Sequence, residues 1–137
     1  MKKIENICII DDDIIFQLLT KKVITDSQLV NQVNVFSNGL EAITFLKSAH
    51  DNNTKLPDLI LLDIFMPIMD GWKFLEQYKL LQSKLCKTIP IYIVSSSIDS
   101  SDIRKSKAIN TVTDYIVKPL TKDAFTYIMK NYSSNQF

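Results

Sequence analysis

Four short polar groups in this chain could act together on one substrate: Asp11-Asp12-Asp13, Asp63, Ser95-Ser96-Ser97 and Lys118-Pro119. Three successive aspartates repel one another, and a further carboxylate beside them is costly unless a cation compensates the cluster. Hard oxygen donors suit Mg²⁺ or Mn²⁺; Mg²⁺ takes few carboxylates and keeps room for water and phosphate oxygens. Lys118 offers a point charge on a flexible stem, able to pair with a carboxylate or a phosphate. A serine hydroxyl can donate to a phosphoryl oxygen. A carboxylate nucleophile, a divalent cation and an ammonium group fit phosphoryl transfer onto Asp63, with the metal and Lys118 neutralising charge on the transferred group. Singly, these groups mean little: an Asp-Asp pair is ordinarily a polar turn and a Lys-Pro a solvated loop. Their weight lies in where they fall.

Each group follows a short apolar run. The runs are Ile7–Ile10, Val33–Phe36, Leu59–Leu62, Ile91–Val94 and Tyr115–Val117, several nearly continuous in Ile, Leu and Val. Strands covered by helices on both faces read this way. Between them lie one-sided apolar stripes at helical spacing. The stripes are Ile15, Leu18, Leu19 and Val23; Ala42, Phe45, Leu46 and Ala49; Phe74, Tyr78, Leu81 and Leu85; and Phe125, Ile128, Met129 and Tyr132. The stretch from Asp99 to Ile109 is the weakest helix, with Ile103 its one strong apolar anchor. Asp99 and Thr121 suit helix N-caps, as does Asp13. Pro57, Pro90 and Pro119 punctuate element boundaries. Strand–helix alternation predicts an α/β fold with a doubly wound five-stranded parallel sheet flanked by five helices. The strand order 2-1-3-4-5 is carried over from flavodoxin-like folds of this size. In such sheets ligands bind beyond the carboxyl ends of the strands, where the polar groups would stand.

The 137 residues suit one domain, 1–137, with a core from about 5 to 131 and no separate output domain expected. Apolar residues make up 46% and charged residues 23%, as in soluble globular chains. With 16 basic and 15 acidic residues the net charge is +1, which argues for neither nucleic acid nor membrane as partner. No apolar run approaches the roughly 20 residues of a membrane span, and the first residues lack a signal-peptide pattern. Cys8 and Cys86 form no CxxC motif, so a disulfide or metal role is not expected and a cytoplasmic location is. His50, the single histidine, reads as solvent-exposed. Trp72 reads as packing near the site, and Ser133 to Phe137 as a fraying end.

The sequence closely resembles the response-regulator receiver family from about Ile7 to Met129. The resemblance is carried by Ile9-Ile10-Asp11-Asp12-Asp13, by Leu61-Leu62-Asp63-Ile64-Phe65-Met66-Pro67-Ile68-Met69-Asp70-Gly71, by Ile93-Val94-Ser95 and by Asp114-Tyr115-Ile116-Val117-Lys118-Pro119. It implies that Asp63 is the phosphoacceptor, that Asp12 binds Mg²⁺ directly and Asp11 mainly through water, and that Phe65 offers its backbone carbonyl to the metal. Ser95 would follow the phosphoryl group and Lys118 contact its oxygens. Tyr115 would be the aromatic switch, and the bond to Pro119 cis. The implied donor is a histidine kinase or histidine phosphotransfer protein. The implied output face comprises the fourth helix, fifth strand and fifth helix, with Arg104, Lys105, Lys107, Lys122 and Lys130 around it. The protein would be a monomer or a phosphorylation-dependent dimer, a signalling protein rather than an enzyme.

Two features depart from the family pattern. Phe65 is bulky where small or polar residues are common, which predicts slow dephosphorylation. The stretch Ala108 to Thr113 lacks the usual glycine, which leaves its loop geometry open. Two other readings fit parts of the sequence. A non-phosphorylated adaptor of the same fold would not need Asp11, Asp12, Asp63, Ser95 and Lys118 together. A Mg²⁺-dependent phosphatase with an aspartyl nucleophile would need a cap, for which the chain has no room.

Overall fold

A computed structural model describes residues 3–134. The expected alternation is realised as β1 (Ile4–Ile10), α1 (Ile14–Ser27), β2 (Val30–Phe36), α2 (Gly39–Ser48), β3 (Leu59–Leu62), α3 (Gly71–Leu81), β4 (Ile91–Ser95), α4 (Ser100–Lys107), β5 (Val112–Val117) and α5 (Lys122–Ser134). A 3-10 turn over Gln82–Lys84 extends α3. All neighbouring strands pair in parallel, in the order β2-β1-β3-β4-β5. Residues Asn135 to Phe137, part of the expected fraying end, lie outside the described residues.

Alternate strand residues face opposite layers. Cys8 and Ile10, Ile60 and Leu62, and Ile91 and Ile93 pack with Ala42, Leu46, Phe74, Leu75 and Tyr78 of α2 and α3. Ile7 and Ile9, Leu59 and Leu61, and Tyr92 and Val94 pack with Phe16 and Ile24 of α1 and with Phe125, Ile128, Met129 and Tyr132 of α5. The central strands are therefore sealed on both faces, and β3 and β4 are buried along their whole length. The stripes expected for α2, α3 and α5 are the ones that pack inward.

The stripe expected for α1 is not. Ile15, Leu18 and Leu19 are 69%, 63% and 58% exposed, and Phe16, Thr20 and Ile24 turn inward instead. Of the expected set only Val23 packs against the core. Apolar residues surround most of this helix, so spacing admits two phases. The Asp13 carboxylate selects one by accepting from the N–H groups of Ile15 and Phe16, and the Gln17 side chain adds a 2.6 Å bond to the Asp11 carbonyl.

Ile103 is only half-buried, and Ser106 is the buried residue of α4. This helix is held mainly by polar contacts, Asp99 capping its first turn. The loop before β5 needs no glycine: among the described residues only Gln28 and Ile68 have positive φ. Cys8 is buried, Cys86 exposed, and both are free thiols. No described helix is long and apolar enough to cross a membrane.

Candidate functional site

The carboxyl ends of β1, β3, β4 and β5 bring the expected groups to one edge of the sheet. The backbone N–H of Asp63 donates to the Ile10 carbonyl and that of Asp11 to the Phe36 carbonyl, so sheet pairing continues to the site itself. Gly71 lets the N-terminus of α3 close against the same edge. Its N–H donates to the Ile64 carbonyl at 2.7 Å, and a Cβ there would collide with the Asp63 carbonyl oxygen.

One carboxylate oxygen each from Asp11, Asp12 and Asp63 lie within 4.8 Å of one another. Asp11 and Asp63 are buried, while Asp12 faces solvent. Lys118 Nζ stands 2.9 Å from Asp11 Oδ2 and 3.7 Å from Asp63 Oδ2. The contact to Asp11 is a close ion pair at a buried oxygen, and Lys118 is the partner that oxygen has. Asp63 Oδ1 accepts from the Ile64 N–H at 2.9 Å, which leaves Oδ2 on the lysine side. Burial, reinforced by the charge of Asp11, pushes the Asp63 carboxyl up to about 6 against the pull of Lys118. Burial also raises Asp11, opposed by the Asp13 N–H and by Lys118.

One lysine thus faces three carboxylates, two of them buried. Hard, acidic and short of positive charge, this donor set fits a divalent cation such as Mg²⁺. Asp13, which caps α1, is not among the clustered carboxylates. Phe65 lies in the β3–α3 loop and is 57% exposed.

Ser95 is wholly buried, and its Oγ accepts from the Ser97 N–H at 3.1 Å. That bond leaves the Ser95 proton free to donate elsewhere. Tyr115 donates its hydroxyl to the Ser97 carbonyl at 2.8 Å. The Ser97 hydroxyl in turn donates to Asp102 of α4 at 2.7 Å and accepts from the Asp99 N–H. The Lys118–Pro119 peptide is cis, as expected. His50 is exposed. Trp72 packs against the core, with Lys105 Nζ 4.5 Å from its ring centroid, so Lys105 turns toward α3.

Three residues at or near this edge make contacts or adopt conformations that sequence reasoning did not assign to them. Phe16 lies under the Lys118 ammonium, 4.3 Å from ring centroid to Nζ. Ser97 joins Ser95, Tyr115 and α4. Ile68, β-branched, adopts φ 71° in the β3–α3 loop, a conformation unfavourable for that side chain. Spacing on α1 favours the opposite face and so hides Phe16. Ser97 belongs to the serine group singled out at the end of the fourth strand, but residue type gives neither its contacts nor the backbone conformation of Ile68.

A doubly wound parallel sheet with a carboxylate cluster, a hydroxyl and a lysine at its carboxyl edge defines the receiver class of signalling switches. The chain belongs to the response regulator receiver domain family, whose model matches residues 7–130. It is similar to the response regulator Rcp1 of Synechocystis, 28% identical over 124 residues, covering 89% of this chain and 82% of that protein. It is 35% identical over 94 residues to the sensor histidine kinase CheAY of Helicobacter pylori, covering 69% of this chain but 11% of the kinase. Among solved structures, a two-component response regulator from Cytophaga hutchinsonii superposes with a TM-score of 0.89 at 28% identity, covering 98% of this chain and 100% of the other. The chain is a receiver-type phosphoaccepting switch of two-component signalling.

Proposed function

We propose that Asp63 accepts a phosphoryl group from a phosphohistidine on a histidine kinase or phosphotransfer protein. Asp63 Oδ2 attacks phosphorus, the phosphorus–nitrogen bond breaks, and the departing imidazole takes a proton from solvent. The observation that carries this reading is the Lys118 ammonium held beside both Asp11 and Asp63. There it can leave one carboxylate and neutralise the phosphoryl oxygens forming on the other. Asp11, Asp12 and Asp63, with the Phe65 carbonyl, would hold Mg²⁺ or Mn²⁺, which when bound offsets the charge of nucleophile and phosphoryl group. A solved structure of Rcp1, 27% identical to this chain, is an Mn²⁺-bound form. Ser95 donates its free proton to a phosphoryl oxygen.

The exposed apolar residues near this edge support a protein donor. Ile15 and Leu18 of α1, with Phe65 and Ile68 of the β3–α3 loop, present large apolar surface near a charged site. The output surface is the face of α4, β5 and α5, read by a downstream protein or used in dimerisation once Asp63 is phosphorylated. We read residues 1–137 as one receiver unit acting in the cytoplasm, a signalling protein that catalyses only its own phosphoryl transfer and slow hydrolysis.

The test is intact mass after incubation with acetyl phosphate and Mg²⁺, beside an Asp63→Asn control. A gain of one phosphoryl group, absent in the control and without the metal, supports the assignment. No gain even with a cognate phosphodonor protein would leave a non-phosphorylated adaptor of the same fold.

A further inference from the structure

The Lys118 ammonium has a third neighbour besides its two carboxylates, the face of the Phe16 ring, 4.3 Å from Nζ to centroid. Phe16 is 7% exposed and packed in the core, and α1, which carries it, begins at a fixed point. Asp13 Oδ1 accepts the Phe16 N–H at 3.3 Å, and Gln17, the next residue, is tied to the Asp11 carbonyl at 2.6 Å. The run Asp11-Asp12-Asp13 therefore does two things: its first two members supply carboxylates, and its third sets the helix phase that brings the ring beneath the lysine. An aromatic face attracts a cation through its quadrupole, more strongly where water is excluded. Lys118 is only 17% exposed here.

We propose that Phe16 is a positioning residue for phosphoryl transfer, holding the Lys118 ammonium at the acceptor through a cation–π contact. This inference rests on the assignment of Asp63 as acceptor. A lysine stem is flexible, and a carboxylate partner alone would let the ammonium settle on Asp11, the nearer oxygen. The ring adds an uncharged attraction that does not compete for the phosphoryl group and persists as Lys118 turns from Asp11 toward Asp63. Phe16 touches no reacting atom and acts through Lys118 alone.

The test replaces Phe16 site-specifically with 4-fluoro-, 3,5-difluoro- and pentafluorophenylalanine, since the chain has seven phenylalanines. Fluorination drains the ring's negative face at nearly constant shape, so the urea midpoint serves as a control for packing. The expected result is a stepwise fall in the rate of Asp63 phosphorylation by acetyl phosphate, about threefold to tenfold across the series. In a Lys118→Met background the same series should be flat. A flat series with Lys118 present overturns the proposal, as does a fall that persists without it. Placement is read separately from the Lys118 Hε resonances, which the ring should move upfield and which Phe16→Leu should return toward ordinary values. Absence of that shift overturns the contact itself. An upfield shift in a protein that accepts no phosphoryl group from any donor overturns instead the acceptor assignment on which the role depends.

Discussion

Phe65 is exposed two residues beyond Asp63, the proposed acceptor, and can flank a phosphoryl group there. Hydrolysis needs a water placed and oriented against phosphorus, and small misplacements are costly in rate. A bulky apolar ring can neither hydrogen-bond that water nor leave it space. Phe65→Asn is expected to shorten the lifetime of the phosphorylated form about fivefold, equivalent to about 1 kcal/mol in the barrier. Decay of the phosphorylated mass after removal of acetyl phosphate measures it, and an unchanged lifetime would place the slow step elsewhere. The same position shows what residue types convey alone. Bulk at Phe65 is visible in the sequence, as is the charge of Asp11, Asp12 and Asp63. The pairing of Asp11 with Lys118 and the ring beneath that lysine depend on orientation, which residue type does not encode.

Among the elements, α4 and α1 each set aside the burial pattern typical of a surface helix. Ser106 is the buried residue of α4, so the helix is held by its Asp99 cap, by the Ser97–Asp102 bond and by Lys105 over Trp72. Few buried apolar contacts mean a low cost of movement, which suits a switching element. Ser97 links this helix to both Ser95 and Tyr115. Ser97→Ala removes both hydroxyl bonds, the one to Asp102 and the one from the Asp99 N–H, but leaves the bonds of the Ser97 backbone to Ser95 and Tyr115. It should leave phosphorylation of Asp63 within about twofold of wild type while weakening the response of α4 to it, since each of the lost hydrogen bonds is worth about 1 kcal/mol. Tyrosine and amide NMR shifts with and without beryllofluoride report the difference; an unaltered response would show that α4 moves independently of Ser97. In α1, Leu18→Ser and Ile15→Ser replace exposed side chains and should change stability by no more than about 0.5 kcal/mol. If this face receives the donor, both variants will accept from acetyl phosphate normally and from the phosphohistidine protein poorly. Equal rates with both donors would remove α1 from the docking surface. Spacing on α1 alone points to the wrong face as core, because apolar residues occupy both arcs and packing against the sheet, with the start of the helix fixed at Asp13, decides between them.

For the whole molecule, the acidic cluster trades stability for a site. An unfolded aspartate titrates near 3.9, whereas Asp63 in the fold is raised to about 6. A raised carboxyl means the folded state holds its proton more tightly. Its contribution is therefore full below the unfolded value and is lost as pH rises through about 6. Without metal, Asp63→Asn should raise stability by about 2 kcal/mol at pH 7 and by little at pH 4, read as urea midpoints. Saturating Mg²⁺ should stabilise wild type at pH 7 and narrow that gap, by linkage to the folded state. A gain from Asp63→Asn that does not vary with pH would contradict the burial of this carboxylate. The sequence by itself determined the strand–helix alternation, the strand ends where polar groups stand, and the stripes of α2, α3 and α5. Local periodicity and residue chemistry suffice for these, because each is repeated along the chain. The tertiary structure alone decided the phase of α1, the polar anchoring of α4, the meeting of Phe16 with Lys118 and the triple role of Ser97. Each depends on segments distant in sequence, or on a cap competing with a hydrophobic pattern, and that balance is settled only when the elements pack.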